Sequence, residues 1–266
     1  MSREHSDSAF VARQYRTSAN LAARQRIYRY ATGDVNWHAW VFDQMAPTLP
    51  GDARVLELGC GNGALWRENL ARIPEKWDIT LSDLSAGMLD EVQRALDRHA
   101  SRFRFARLDA QTIPFGNHTF DAVIANHMLF HVPDRPRAYR EIVRVLRPRG
   151  RLFAATNGDG HMIEIRNLIA DFVPLRERSG FFLEGARDEL ARFFDSIEVI
   201  HLRGELRVPE AGPILDYINS LDLPEPLSGE QVERVKQTVR FEIDRRGYFR
   251  VSTETGLCRG VTSASH

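Results

Sequence analysis

A run of closely spaced glycines is the part of this sequence best suited to binding a ligand. It follows the short apolar segment 53–58 and precedes a stretch with helical spacing, and its residues are Glu57, Leu58, Gly59, Cys60, Gly61, Asn62 and Gly63. Glycines at a strand-to-helix turn let the backbone bend tightly and approach a ligand that a Cβ atom would repel. The spacing Gly59-x-Gly61-x-x-Ala64 also fits the loose dinucleotide-binding pattern. The glycines alone therefore do not choose a cofactor.

Polar residues also stand where later strands are expected to end. The segments 78–83, 103–109 and 120–126 are apolar strand patterns, and they close on Asp83, Asp109 and Asn126. Because ligands bind beyond the carboxyl ends of the strands in an open parallel sheet, we expect these residues to share one site with the glycine loop. Alternatively, Asp83 begins the turn before Ser85, and Asp109 caps the loop that leads to Pro114.

The elements that must position these residues alternate between strands and helices. Strand patterns occupy 53–58, 78–83, 103–109, 120–126, 151–156, 196–204 and 248–253. Ser85 and Asp134 are predicted helix N-caps, and Ser228-x-x-Gln231 is typical of a capping box. Strands that are apolar throughout and separated by helices indicate a parallel sheet covered on both faces. The prediction is an α/β fold with a doubly wound, mostly parallel, seven-stranded sheet.

In their order along the chain, these motifs resemble the class I S-adenosylmethionine-dependent methyltransferases, in which an acid stands two residues before the first glycine, as Glu57 does here. The resemblance covers roughly residues 51–157, including the segments 120–124, 126–134 and 141–150. It implies a Rossmann-like methyltransferase fold and the cofactor S-adenosyl-L-methionine, with Asp83 on the ribose hydroxyls and Asp109 at the adenine amino group. The other cofactor contacts that it implies are Tyr15, Glu57, Gly59, Cys60, Gly61, Asn62, Gly63, Leu84, Met88, Ala110, Gln111 and Asn126.

Two histidines after the fourth strand are candidates for the chemical step. Methyl transfer from a sulfonium is an in-line displacement, so the protein mainly aligns the reactants, with a base where the acceptor must lose a proton. Histidine suits this base because its pKa is near neutral. His131 precedes an x-Pro-Asp turn, where small-molecule members of the family often carry a histidine, and His127 follows Asn126. Alternatively, His131 bonds the loop backbone and His127 shapes the pocket, because a neutral amine acceptor needs no strong base.

The remaining segments predict an N-terminal helical cap at 1–48 and a methyltransferase domain at 49–266. Trp37, Trp40 and Phe42 lie at helical spacing in the cap and are expected to pack rather than to form a wall for the acceptor. About 40 residues separate the last two strands, far more than the usual 2–6 of a tight connection. The amphipathic insertion at about 205–246, with Ile214 and Ile218 on its apolar side, is therefore interpreted as an acceptor lid. The alternatives are a remote decoration or a dimer contact.

Composition excludes several partners. The 36 basic and 36 acidic residues leave no net charge, which argues against nucleic acid or an anionic membrane as the main partner. Cys60 and Cys258 lie outside metal-ligand spacing, so no metal is expected. The charged N-terminus is unlike a signal peptide, and no apolar run approaches the ~20 residues of a membrane span. We therefore expect a cytoplasmic monomer or homodimer that acts on a small molecule.

These features together predict an enzyme that moves a methyl group from S-adenosyl-L-methionine to an O or N atom of a small-molecule acceptor. The segment 126–129, Asn-His-Met-Leu, departs from the Asn/Asp-Pro-Pro-aromatic motif of DNA amino-methylating enzymes. Two alternatives stay open. An NAD(P)-dependent oxidoreductase would use the same glycine spacing and Asp83 but does not require Glu57 or Asp109, and a regulatory domain would bind the cofactor without transferring methyl.

Overall fold

One seven-stranded sheet forms the centre of the computed structural model, which describes residues 24–33, 35–173, 180–221 and 223–264. The strands lie side by side in the order β3-β2-β1-β4-β5-β7-β6. Strands β1 to β5 pair in parallel, and β7 runs antiparallel between β5 and β6. The predicted doubly wound, mostly parallel sheet is therefore confirmed. The strands are β1 (Arg54–Leu58), β2 (Asp78–Asp83), β3 (Phe103–Arg107), β4 (Phe120–Asn126), β5 (Leu146–Asn157), β6 (Ser196–Val208) and β7 (Phe249–Val261).

Helices cover both faces of the sheet, which is why the central strands carry apolar residues on both sides. The helices are α1 (Trp37–Met45), α2 (Ala64–Asn69), α3 (Ala86–Leu96), α4 (Arg135–Val145), α5 (Ile163–Ile169), α6 (Leu183–Leu190), α7 (Ala211–Asn219) and α8 (Gly229–Arg246). Residues of α1, α2 and α3 form one buried cluster with the sheet, and residues of α4 and α6 form another on the opposite face. The carboxyl ends of the parallel strands lie between these two helical layers.

The three predicted helix starts are confirmed. The Ser85 hydroxyl accepts a hydrogen bond from the amide of the third residue of α3, and the Asp134 carboxylate does the same at the start of α4. Ser228 and Gln231 exchange side-chain and backbone hydrogen bonds in a full capping box at α8. Each cap satisfies amides that the first helical turn leaves unpaired.

The β6–β7 pair is longer than the sequence predicts, and it projects beyond the rest of the sheet. Pairing of β5 with β7 ends at Asn157–Thr255, whereas pairing of β6 with β7 continues to Val208–Phe249. Residues 205–208, predicted as the start of the insertion, therefore belong to β6. A third buried cluster forms on this projection, where it packs with α5, α7 and α8. This cluster rises above the carboxyl edge of β5 and closes one side of the space over the sheet.

The described part of the predicted cap contacts both the third cluster and the sheet. Ile27, in a short 3-10 helix at Ile27–Tyr30, is buried in the third cluster, whereas Phe42 of α1 packs against the sheet. Tyr15 and the rest of residues 1–23 lie outside the described residues, and the division at residue 48 stays a prediction. Among the described residues, no helix is both long and apolar enough to cross a membrane.

Candidate active site

The glycine loop joins β1 to α2, and its three glycines are needed for different reasons. All have positive φ: +65° at Gly59, +53° at Gly61 and +70° at Gly63. A Cβ atom on Gly59 would stand 2.8 Å from Met128 Cβ, and one on Gly63 would stand 2.3 Å from Val92 Cγ2. A Cβ atom on Gly61 would meet no protein atom within 4 Å. Gly59 and Gly63 therefore permit close packing, whereas Gly61 leaves space open beside the loop.

Asp83, at the end of β2, holds the glycine loop in place. Its Oδ2 atom accepts a hydrogen bond of 3.0 Å from the amide of Gly61, and its Oδ1 atom accepts one of 2.9 Å from the amide of Ser85. Burial raises the pKa of Asp83, although amides of Ser85, Gly61 and Leu84 oppose the rise. A carboxylate has about four lone-pair sites, so these bonds leave it able to accept a hydrogen bond from a ligand hydroxyl. Asp83 thus begins the turn and also faces the site.

Glu57 is a buried carboxyl group directly before the loop, with 2% of its surface exposed. Its Oε2 atom accepts a 2.6 Å hydrogen bond from Trp66 Nε1, and its carbonyl accepts one of the same length from Ser82 Oγ. Burial raises the pKa of Glu57 to about 7, with the Asp83 charge adding to the rise and the Trp66 bond opposing it. A cation placed beside this group would favour its ionised form.

Asp109 lies beyond β3, where Gln111 partly occupies its carboxylate. The backbone amide of Gln111 donates to Oδ1 at 2.8 Å, and its side-chain Nε2 lies 3.0 Å from both carboxylate oxygens. Gln111 Oε1 in turn accepts from the amide of Asp134 at 3.1 Å. This chain of bonds fixes the direction of the Asp109 carboxylate and leaves acceptor capacity on Oδ2.

The residues between these acids line the same cavity in different ways. Cys60, Leu84, Met88 and Ala110 present side chains to it, and Asn62 Oδ1 caps the loop by accepting from the amide of Ala64. Burial and the charges of the neighbouring acids raise the pKa of the Cys60 thiol, which keeps it in the unreactive protonated form.

Trp37 reaches the site from α1, although the sequence indicated only a packing role. Its Nε1 atom donates to Asn126 Oδ1 at 3.3 Å, and its ring centroid lies 5.2 Å from those of Trp40 and His127. Trp37 and Trp40 both pack against the core cluster that contains Phe42, as predicted, and Trp37 also lines the cavity. The sequence does not predict this second role, because helical spacing reports which residues share a face and not what that face meets.

The two candidate histidines both line the cavity but in unlike surroundings. His127 has a φ of +54°, its amide donates to the carbonyl of Ala155 at 3.1 Å, and its Nε2 atom lies 3.4 Å from Thr255 Oγ1. Burial lowers the pKa of His127 to about 3, and nearby His161 and His38 lower it further. His131 ends a short 3-10 helix at Leu129–His131, where its ring lies 4.3 Å from that of Phe130.

A single cavity of about 1520 Å³ is lined by the glycine loop, the acids and the two histidines, and it extends to a second group of residues beyond them. Gly63, a predicted cofactor contact, is not among the residues that line it. The first half of the cavity is bordered by the glycine loop, Asp83, Asp109 and Asn126. The second half lies under the β6–β7 projection and is lined by Tyr28, His161, Phe182, Tyr217, Leu221 and Thr255. Apart from the lid interpretation, no local pattern in the sequence predicts this second group. In the described part of the chain, no cluster of three or more His, Cys, Asp or Glu residues is arranged to hold a metal ion.

Comparison with known proteins places this geometry in a family. Residues 56–154 match a family model described as a methyltransferase domain. The chain is 38% identical over 118 residues to 27-O-demethylrifamycin SV methyltransferase of Amycolatopsis mediterranei, a match that covers 41% of each protein. It is 30% identical over 179 residues to malonyl-[acyl-carrier protein] O-methyltransferase of Halorhodospira halophila, covering 66% of this chain and 54% of that one. It is also 30% identical over 118 residues to the ubiquinone/menaquinone biosynthesis C-methyltransferase of Hahella chejuensis, covering 44% of this chain and 47% of that one.

Solved structures share the fold across nearly the whole chain. Phosphoethanolamine N-methyltransferase 2 of Haemonchus contortus, solved with S-adenosyl-L-methionine, superposes with a TM-score of 0.59 at 19% identity, covering 96% of this chain and 59% of that one. The [4+2]-cyclase SpnF gives a TM-score of 0.59 at 16% identity and covers 96% of this chain and 97% of that one. At these identities the likeness shows the fold alone.

The sheet order and the strand-end motifs define a Rossmann-like methyltransferase fold. The family model that matches residues 56–154 is a methyltransferase domain, and the three relatives named above are methyltransferases. The matches span about half the length of the curated relatives.

Proposed function

We propose that the protein transfers a methyl group from S-adenosyl-L-methionine to an oxygen or nitrogen atom of a small molecule. The observation that carries this proposal is the single large cavity. Its volume of about 1520 Å³ exceeds the roughly 300–1,000 Å³ of an ordinary ligand pocket. The cavity therefore offers space for two ligands side by side, as a group-transfer reaction requires.

The residues of the first half fit this cofactor. Gly61 leaves space open where any side chain would stand, which suits a ligand lying against the loop. Asp83 retains acceptor capacity for ribose hydroxyls, and Asp109 retains capacity on Oδ2 for an adenine amino group. Leu84 and Met88 line the cavity next to Asp83 and would contact the adenine ring. Glu57 supplies a carboxyl group near the end of β1, where a positive charge on the cofactor would favour its ionised form.

The protein's part in the reaction is mainly to orient the reactants and exclude water. When bound, the cofactor supplies a methyl group on a positively charged sulfur, and displacement requires the acceptor atom to lie in line with the breaking bond. Asn126 is held by the Trp37 indole, and together they border the junction between the two halves. The aromatic rings of Trp37 and Phe130 line the same region and reduce the space for water.

Two histidines border this junction, and we assign them different parts. We propose His131 as the base or orienting residue where the acceptor must lose a proton. Because burial lowers the pKa of His127 to about 3, its ring is neutral near physiological pH and is a weak proton acceptor. We propose that His127 shapes the pocket and donates or accepts a hydrogen bond without becoming charged.

The relatives support a small-molecule acceptor but differ in the atom that is methylated. One relative is named a malonyl-[acyl-carrier protein] O-methyltransferase, and another is named a 27-O-demethylrifamycin SV methyltransferase. A third is named a C-methyltransferase. The structural neighbour from Haemonchus contortus is an N-methyltransferase. We propose that this protein acts on oxygen or nitrogen, and we interpret α7 and the turn after it as part of the acceptor lid because Tyr217 and Leu221 line the second half.

Two measurements test the proposed function. Thermal unfolding is followed with S-adenosylhomocysteine, NAD or NADP, and protection by S-adenosylhomocysteine alone is expected. Protection by a nicotinamide cofactor alone would favour the oxidoreductase alternative. A screen for labelled methyl transfer to a metabolite extract then separates an enzyme from a regulatory domain. Binding of S-adenosylhomocysteine without any methylated product would contradict the proposed transfer.

A further inference from the structure

A tyrosine and a histidine form a hydrogen-bonded pair in the second half of the cavity, away from the residues assigned to the cofactor. Tyr28 lies in the 3-10 helix Ile27–Tyr30, and His161 lies in the turn between β5 and α5. Tyr28 Oη is 3.1 Å from His161 Nε2, and both residues line the cavity. His161 is 7% exposed, whereas Tyr28 keeps 41% of its surface accessible. The histidine is thus enclosed, and the tyrosine reaches the space where a ligand can lie.

A backbone amide determines which nitrogen of His161 carries the proton. The amide of Glu254 donates a 3.3 Å hydrogen bond to His161 Nδ1. An amide can only donate, so Nδ1 must be unprotonated, and the proton of the neutral ring lies on Nε2. His161 Nε2 therefore donates to Tyr28 Oη. The hydroxyl hydrogen of Tyr28 must then point away from His161, which makes Tyr28 a hydrogen-bond donor to another group.

The same geometry disfavours a general-base role for the pair. A proton added to His161 would have to go to Nδ1, where it would face the amide hydrogen of Glu254. Two donors directed at each other are repulsive, so the hydrogen bond from the Glu254 amide favours an unprotonated Nδ1. The pair therefore offers a fixed neutral donor rather than a place for the acceptor's proton.

Among the described residues, the charged side chains that line this end of the cavity are engaged with protein groups. Arg203 pairs with Glu254 at 2.8 Å, and Glu205 pairs with Arg250 at 2.8 Å. Arg24 directs its guanidinium to the carbonyl oxygen of Ser220 at 2.9 Å. Apolar side chains of Phe182, Leu206 and Leu221 form other parts of the wall. These surroundings suit an uncharged ligand with a large apolar surface.

We propose that Tyr28 donates a hydrogen bond to a carbonyl or hydroxyl oxygen of an uncharged, largely apolar methyl acceptor, and that His161 is a positioning residue that orients the Tyr28 hydroxyl. This inference rests on the proposed function, because it assigns the acceptor class of the same cavity. It gives the second half of the cavity a specific recognition point, which lies on the 3-10 helix Ile27–Tyr30.

Binding of two matched probes tests the acceptor class. Protein saturated with S-adenosylhomocysteine is titrated calorimetrically with 1-naphthol, which is neutral, and with 1-naphthoate, which has the same ring and a negative charge. We expect 1-naphthol to bind more tightly than 1-naphthoate. Loss of one neutral hydrogen bond in Tyr28→Phe should weaken 1-naphthol binding about two- to ten-fold. Tyr30→Phe is the matched control, since the Tyr30 hydroxyl bonds Arg29 and Glu210 outside the cavity.

Variants of His161 separate orientation of Tyr28 from general support of the fold. His161→Gln keeps an amide that can donate to Tyr28 Oη, whereas His161→Leu removes the donor. We expect the glutamine variant to bind 1-naphthol nearly as the wild type does, and the leucine variant to resemble Tyr28→Phe. A nitrogen-15 spectrum of the labelled histidines should show His161 neutral and protonated on Nε2.

Several results would overturn the inference while leaving the proposed function intact. These are a proton on Nδ1 of His161, equal 1-naphthol affinity in wild type and Tyr28→Phe, no 1-naphthol binding, or tighter binding of 1-naphthoate. Each of them requires that S-adenosylhomocysteine still binds normally. Failure of the wild type to bind S-adenosylhomocysteine would instead contradict the proposed function, so the two failures are distinguishable.

Discussion

Replacing the buried acid Glu57 with glutamine should make the protein more stable and a poorer binder of its cofactor. Burial raises the pKa of Glu57 from an ordinary 4.5 to about 7. Below pH ~4.5 the group is protonated in both the folded and the unfolded protein. As pH rises from there to about 7, the unfolded chain releases this proton while the folded protein retains it. The unfolded state then binds fewer protons, so Glu57 lowers the free energy of unfolding as pH rises.

The size of this effect follows from the two pKa values. At ~1.4 kcal/mol per pKa unit, ionising Glu57 in the folded protein costs roughly 3 kcal/mol once the pH exceeds about 7. Glu57→Gln has nearly the same shape and keeps an oxygen that can accept the Trp66 Nε1 hydrogen bond. The stability gain of this variant over the wild type should therefore grow by roughly 3 kcal/mol between acid and alkaline conditions.

Urea unfolding across a pH series measures this difference, with Glu75→Gln as the control for removing one exposed carboxylate. Calorimetry with S-adenosyl-L-methionine follows the functional cost. Wild-type affinity for this cation should rise as pH passes through about 7, because Glu57 becomes ionised, and the glutamine variant should lack that rise. A stability difference between Glu57→Gln and wild type that does not change with pH would refute the reasoning.

Three further changes test other parts of the site and its support. Asp83→Asn should weaken S-adenosylhomocysteine binding about ten- to hundred-fold through loss of charge-assisted hydrogen bonds, while Asp78→Asn at the other end of β2 should not; unchanged calorimetric affinity for Asp83→Asn would contradict its assignment. Gly61→Val should keep its circular dichroism spectrum and lose cofactor binding, whereas Gly63→Ala should chiefly lose stability, because its Cβ would overlap a side chain of α3. Ile218→Ala should lower the free energy of unfolding by about 2–5 kcal/mol with little effect on cofactor affinity, and an unchanged urea midpoint would count against its buried position.

The sequence predicts the parallel half of the fold well because its central strands β1, β2 and β4 are buried on both faces. Such strands are continuous apolar segments, and the turns between them carry glycine, proline or helix caps. The ends of β6 and β7 were missed because one face of this pair is exposed. In the segment 205–208, buried Leu206 and Val208 alternate with more accessible Glu205 and Arg207. This alternation is present in the sequence, but four residues are too few to distinguish a strand end from the start of the insertion.

The sequence predicts the first half of the cavity but not the second. The glycine loop and its acids lie at the ends of consecutive strands, so local motifs and the topology of a parallel sheet locate them together. Tyr28, His161 and Glu254 come from three distant parts of the chain and meet only because the third cluster packs above the sheet. Likewise, Ile214 and Ile218, on the apolar side of the insertion, are fully buried in the third cluster, and their contacts there come from distant parts of the chain. No local pattern specifies such long-range contacts.

The two histidines after β4 show how burial separates residues that the sequence treats alike. His127 is held between the Trp37 ring and the Thr255 hydroxyl. Protonating it there would place a cation away from water, and among the described contacts no carboxylate is bonded to it. Its lowered pKa follows from that position. His131 lies four residues later, at the end of a 3-10 helix, where it and Phe130 line the same cavity. Under the proposed function, we therefore expect an acceptor hydroxyl that must lose a proton to use His131, and an acceptor placed against His127 to react without transferring a proton to it.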